Sequence, residues 1–183
     1  MYCGSNKTAL SSQKQIAEAL LRLMADHPYA DISVSSLCRE AGISRQTFYS
    51  LFTSRENVVV FTLQANYCYA PSEALSTGGE GEKSGGLRAL CRGYAAYILQ
   101  NRDFLRMMVK NRIDYLLYDS ISEALGACEC FLPGLDSRVR PYAVSFYAGG
   151  ISSVARTYAR EGCAATEKEL EQLLYLLLSG SLL

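Results

Sequence analysis

The chain has 183 residues, 49% of them hydrophobic and 20% charged, enough for one domain or for a small domain plus a larger one around a real core. Lys+Arg 18 against Asp+Glu 18 leaves no global field directed at nucleic acid or membrane, so any nucleic-acid binding has to come from placed charges. Seven scattered cysteines, an opening "MYCGSNKTALSSQ" without an apolar core, and no run near the roughly 18 apolar residues of a membrane span together predict a cytoplasmic protein without disulfide framework, signal peptide or membrane segment.

Nearly every segment reads as helix. "SSQKQIAEALLRLMADH" sets Ile16, Ala19, Leu20, Leu23 and Met24 on one stripe, and Pro28 follows its end. "SVSSLCREAG" is a short helix with Ser33 as N-cap, Val34 and Leu37 on one side and Gly42 suited to the position after the last turn. "GISRQTFYSLF" is shorter still, with Ser44 as its cap. At about 100° per residue, Phe48, Leu51 and Phe52 share one side, and Arg45, Gln46, Tyr49 and Ser50 the other. "TSRE" fits a capping box of Thr53 and Glu56, opening a helix that runs through "NVVVFTLQANYCYA" to Pro71.

"STGGEGEKSGG", residues 76–86, is the one flexible connection. Beyond it "LRALCRGYAAYILQN", "DFLRMMVKNRIDYLLYDSISEALGACECF", "DSRVRPYAVSFYAGGISSVARTYAREG" and "TEKELEQLLYLLL" all read as helical, the last opening with a second capping box, Thr166 to Glu169. The prediction is an all-α chain: residues 1–53 a helix-turn-helix domain, 54–75 a connecting helix, and 76–183 a helical bundle.

Two short helices joined by "AGIS" form a helix-turn-helix, whose second helix enters the DNA major groove in DNA-binding versions. Arg45 suits a guanine O6/N7 pair, Gln46 an adenine edge, Thr47 and Ser50 bases or phosphates, and Tyr49 a phosphate. Lys14, Ser35 and Ser44 complete the expected contacts to double-stranded DNA. Residues 1–60 carry six basic against five acidic side chains, so bulk charge adds little. The plain alternative is a polar face of a helical bundle, as in an adaptor or co-regulator that acts through protein partners.

"ISVSSLCREAGISRQTFYSLFTSRENVV" resembles the DNA-binding domain of TetR/AcrR-type transcriptional regulators, through its Ala-Gly turn, its Thr-Phe-Tyr run, the Phe three residues after Tyr49 and the "SRE" that follows. The resemblance, covering roughly residues 8–65, implies that 45–51 is the recognition helix and that Tyr49 and Arg55 contact phosphate. Leu51 stands where that family frequently has His, and Arg55 where it commonly has Lys, which keeps the charge and changes its geometry. "ALLRLMADHPYADIS" and "FYAGGISSVARTYAREG" are similar to a subgroup that includes dihydroxyacetone-kinase regulator-like proteins, a likeness that bears on fold alone.

For the C-terminal half the resemblance implies a dimerising domain that often holds an effector. The residues point the same way, because Leu170, Leu174 and Leu177 belong to a wide apolar stripe, and Gly149 and Ser153 allow close helix approach. These five are the expected homodimer interface, and an intramolecular bundle is the alternative. Tyr67, Tyr94, Tyr97, Met108, Tyr115 and Tyr118 are candidates to line a pocket for a small apolar or aromatic effector, with Arg106 to hold an anionic group, although such residues also fill cores.

Catalysis is not expected. His27 is the sole histidine and sits before a proline at a helix end, and "GGEGEKSGG" lacks the phosphate-loop ending and a preceding strand. Cys128-x-Cys130 has no second pair, so neither metal nor cofactor is expected. A thiol-based sensor using Cys91, Cys128, Cys130 or Cys163 is a further alternative.

Overall fold

The computed structural model describes residues 6–65, 83–129 and 131–180. Among these residues there are nine α-helices and no strand: α1 Lys7–Asp26, α2 Val34–Ala41, α3 Arg45–Leu51, α4 Arg55–Ala65, α5 Lys83–Gln100, α6 Arg102–Lys110, α7 Leu116–Ala127, α8 Arg140–Arg160 and α9 Glu167–Leu178. A short 3-10 turn, Tyr29–Asp31, lies between α1 and α2.

Local chemistry sets most of the helix ends. Asn6 caps α1 by accepting from Thr8 N–H, so the helix begins earlier than its apolar stripe. Ser33 and Ser36 form a reciprocal capping box in which a second serine does the work of the usual Glu. Gly42 ends α2 in the left-handed region at φ 68°, where a side chain would be strained. Thr166 and Glu169 form the expected box at α9.

Three expectations need correction. The box at Thr53 does not form: α4 starts at Arg55, Ser54 accepts from Asn57 N–H at 3.3 Å, and the Glu56 carboxylate accepts from the Tyr29 hydroxyl instead. The segment 103–131 is two helices rather than one, broken at residues 111–115, where Arg112 takes φ 58°. The glycine-rich stretch 76–86 is already helical from Lys83, and its earlier part, like the expected continuation of α4 to Pro71, lies outside the described residues.

One connected core runs through both halves. α1 packs on α2 and α4, and α2 on α3, around Ile16, Leu20, Ile32, Leu37, Phe48 and Phe52. Each large apolar side chain fully buried here contributes about 1.5–3 kcal/mol before conformational entropy is charged against it. α4 then leaves this cluster to pack on α7, while α7 and α6 lie against α8, and α9 lies along α5 and α8. Gly150 lets α9 lie close, since a Cβ there would come within 2.8 Å of Leu178 Cδ2 and displace that methyl group. Arg140 closes the end of α7, donating to the Cys128 carbonyl at 2.7 Å and to that of Phe131.

The two halves meet at Tyr29. Its N–H donates to Asn111 Oδ1 at 2.7 Å, just past the end of α6, and its ring lies beneath the Arg55 guanidinium at 4.9 Å. Arg55 in turn donates to the carbonyls of Tyr29 (3.2 Å) and Ile32. Burial, then the adjacent Glu56 carboxylate, push the Tyr29 phenol well above its ordinary range, so it remains a neutral donor. Burial opposes ionisation of Glu56, yet its backbone bond and those from Ser54 and Tyr29, with Arg55 close by, hold its carboxyl below the usual range.

Arg55→Ala strands these two carbonyls, and Asn111→Ala strands the Tyr29 N–H. Each substitution is expected to cost about 1.5–3 kcal/mol, as lost charged or part-buried hydrogen bonds do. Urea unfolding followed by circular dichroism checks this, and a change under about 0.5 kcal/mol at both positions would remove the node's structural role.

Candidate nucleic-acid interface

α2, the Gly42 turn and α3 form a helix-turn-helix. Phe48 and Leu51 of α3 are buried, as is Phe52 after it, and Phe52 meets Phe61 of α4 edge to face at 5.6 Å. α3 is thereby clamped between α2 and the base of α4. The side chains on its other face have no core to join. Arg45, Gln46, Tyr49 and Ser50 are exposed, Tyr49 by 53%. Among the described residues Arg45 takes part in no ion pair, so its guanidinium has its donors available to a ligand.

The predicted contacts divide by what their polar atoms already do. Ser44 Oγ accepts from Thr47 N–H at 3.0 Å and bonds the Thr47 hydroxyl at 2.9 Å, so this pair caps the helix. Ser50 donates to the Thr47 carbonyl at 2.7 Å, which spends its proton within the helix and leaves its oxygen lone pairs outward. Lys14 on α1 and Ser35 in the first turn of α2 are exposed. Arg55 is the correction: expected on phosphate, it is half-buried and turned inward onto the Tyr29 and Ile32 carbonyls. Sequence reasoning could not see this, because the two carbonyls come from a turn more than 20 residues earlier in the chain.

The residues proposed for an effector separate as well. An open cavity of about 260 Å³ lies between α4 (Leu63, Gln64), α5 (Tyr94, Tyr97) and α7 (Ser120, Ile121, Ala124). Tyr94 and Tyr97 line it, their rings edge to face at 6.0 Å. Met108 is core instead, fully buried beneath α8. Arg106 and Tyr115 are exposed away from it, and Tyr118 bonds Ser145 of α8 at 2.6 Å. Tyr67 lies outside the described residues. Gln64 and Ser120 escaped sequence reasoning because nothing in a lone Gln or Ser on an amphipathic helix marks it as facing a cavity.

The expected dimer residues need the same sorting. Leu170 and Leu174 are 1% and 0% exposed within one chain, packed toward α5, and have no surface left to give a second copy. The Leu stripe therefore wraps α9: Leu170, Leu174 and Leu178 face inward, while Leu173, Leu176 and Leu177 face out. Gly149 has open space around its Cβ position and Ser153 is exposed; the close helix approach belongs to Gly150. On the same outer side of α8, Tyr142 and Phe146 are 78% and 64% exposed.

No cluster of three or more His, Cys, Asp or Glu placed to hold a metal occurs among the described residues. Burial, then Glu171, pushes the Cys91 thiol up to about 12, and burial raises that of Cys38, so neither is a reactive thiolate. No helix of the described residues is long and apolar enough to cross a membrane.

Comparison with known proteins adds to this geometry. Over 61 residues the chain is 36% identical to the HTH-type dhaKLM operon transcriptional activator DhaS of Lactococcus lactis subsp. lactis, covering 33% of each protein. It is 54% identical over 41 residues to the HTH-type transcriptional regulator EthR of Mycobacterium tuberculosis, covering 22% of this chain and 19% of EthR. The match thus spans about a third of the one relative's length and about a fifth of the other's. The crystal structure of Lin0861 from Listeria innocua superposes over 95% of this chain and 92% of its own with a TM-score of 0.72 at 19% identity, a likeness of fold from end to end. The helix-turn-helix falls inside residues 16–60, and that region matches the family model described as bacterial regulatory proteins, tetR family.

Proposed function

We propose that the protein is a homodimeric, one-component, cytoplasmic transcriptional regulator, a repressor that reads a palindromic operator with α3 and releases it when a small effector enters the C-terminal half. The observation that carries the reading is the split character of α3, whose apolar face is locked into the core while Arg45, Gln46, Tyr49 and Ser50 stand clear of it. In this reading residues 1–53 contact DNA, 54–75 connect, and 76–183 dimerise and bind the effector. Arg45 and Gln46 read base edges, and Tyr49 with Lys14 and Ser35 holds phosphates. Arg55 acts indirectly, by fixing the turn before α2 and hence the pose of the pair α2–α3.

The second copy is assigned to the outer side of α8 and α9, through Tyr142, Phe146, Gly149, Ser153, Leu173 and Leu177. Exposed aromatic and leucine side chains on adjoining helices are costly to leave in water, and small residues between them let a partner helix approach. A two-fold dimer then sets two recognition helices one DNA turn apart.

DNA selected from a random pool by the wild-type protein supplies the operator for titration. Arg45→Ala is expected to lose about 1–3 kcal/mol on that DNA and little on unrelated DNA, whereas Tyr49→Phe weakens both alike. Equal affinity of wild type and Arg45→Ala for every duplex at fixed salt would exclude α3 as the reader.

For the dimer, light scattering at micromolar protein is expected to give twice the chain mass for wild type and the monomer mass for Phe146→Glu or Leu177→Glu, both still folded. Leu174→Glu should instead unfold the protein, because it buries a charge inside one chain. A folded wild-type monomer would defeat both the interface and the palindromic geometry.

A further inference from the structure

The end of α6 holds the turn that leads into the helix-turn-helix through one half-buried side chain. Asn111 Oδ1 accepts from the Tyr29 N–H at 2.7 Å, and its Nδ2 donates to the Met107 carbonyl at 2.9 Å. Both ends of the carboxamide are held, so its plane is fixed and the bond to Tyr29 has a set direction. The backbone around it is equally determined. The N–H groups of Asn111, Arg112 and Ile113 donate to the carbonyls of Met107, Val109 and Met108 at 3.0, 3.1 and 3.0 Å. This wrap carries Arg112 into the left-handed region at φ 58°, a conformation that a side chain resists and that persists only where its surroundings over-determine it. Ile113 is buried beyond it.

The other partner of the bond is just as firmly placed. Tyr29 is buried, its carbonyl accepts from Arg55 at 3.2 Å, and its hydroxyl donates to Glu56 at 3.2 Å, both in the first turn of α4. Asn111 therefore joins two stiff parts, the bundle on one side and the turn that sets α2 and α3 on the other. The packing of α4 on α7 is largely apolar, and apolar contact is non-directional: it holds two elements together without fixing their rotation.

Rotation matters to a two-fold reader of DNA. One added base pair moves a half-site by about 3.4 Å along the axis and about 34–36° around it, at roughly 10–10.5 base pairs per turn. Recognition helices that swivel on their bundle follow such a shift, and helices held by a directional bond do not.

We propose that Asn111 is a positioning residue that locks the rotation of the helix-turn-helix on the bundle and thereby restricts the protein to one half-site spacing. The spacing consequence rests on the operator reading above; the lock itself does not.

The lock is measurable on the full-length protein without DNA. Nitroxide-bearing unnatural amino acids at the exposed positions 46 on α3 and 123 on α7 report the distance between the two parts, with labelled chain diluted into unlabelled chain. Wild type is expected to give a narrow distance distribution, and Asn111→Ala a clearly broader one with its circular dichroism unchanged. Asn111→Asp keeps an acceptor for the Tyr29 N–H and should restore most of the narrowness. Asn111→Ser, too short to reach Tyr29 but able to bond the Met107 carbonyl, repeats the measurement if the alanine variant does not fold.

The spacing consequence is read on duplexes built from the operator that wild type selects, with the half-sites moved together or apart by single base pairs. Wild type should lose affinity steeply at every altered spacing. Asn111→Ala is expected to reduce that discrimination about five- to tenfold, one hydrogen bond's worth, while a duplex with a single half-site binds both proteins alike. A broad distribution in wild type, an equally narrow one in folded Asn111→Ala or Asn111→Ser, or an unchanged spacing profile beside a broadened distribution would each overturn the proposal. Distances that follow the expected pattern in a wild type that selects no DNA sequence would sustain the lock and refute the operator reading.

Discussion

Tyr29 is where the molecule is held together as one piece. A single residue in a three-residue turn gives its N–H to Asn111, its carbonyl to Arg55, its ring face to the same guanidinium and its hydroxyl to Glu56. Three separate stretches of chain converge on it: the turn before the helix-turn-helix, the first turn of α4 and the end of α6. Most of the remaining contact between the halves is apolar packing of α4 on α7, which tolerates small sliding; hydrogen bonds of this geometry do not. The orientation of α2 and α3 relative to the C-terminal bundle therefore depends on a few polar atoms around one buried ring.

That arrangement gives α4 an unusual position. It is anchored at its start by Arg55 and Glu56, buried along its length through Val58, Val59 and Leu63, and tied near its described end by Gln64 to Glu123. A helix fixed at both ends carries a displacement from one to the other as a rigid body. In the proposed function this makes the cavity beside Gln64 and the face of α3 two ends of one lever. The turn 111–115 is braced from the other side, since Asp114 faces Arg156 and Arg160 of α8 at 3.9 and 3.5 Å. The helix assigned to the dimer thus reaches the same junction as the helix assigned to DNA release.

The two faces of α8 and α9 divide the work of the C-terminal half. Inward, Ile151, Ala155, Leu170, Leu174 and Leu178 build the bundle; outward, Tyr142, Phe146, Leu173 and Leu177 are left in water. The leucine stripe from Leu170 to Leu178 reads the same whether its partner is the chain itself or a second copy. In the proposed function it serves both, because Leu occurs on more than one side of α9 and the bundle needs only one side.

The sequence by itself determined the helix-turn-helix and the polar outer face of its second helix. Ser33, Gly42 and Ser44 are capping residues with local mechanisms, and the spacing of Phe48, Leu51 and Phe52 leaves Arg45, Gln46 and Tyr49 only one face to occupy. All of that chemistry acts within four residues, so one-dimensional reading suffices. Tertiary structure alone decided what depends on partners distant in the chain. It turned Arg55 from a phosphate ligand into a clamp on carbonyls 23 and 26 residues earlier. It moved Leu170 and Leu174 into the core of one chain, and it placed Gln64 against a Glu 59 residues away at the edge of a cavity. A charge, an amide or a leucine has no preferred destination in sequence, because the physical reason for its role is the group that folding brings beside it.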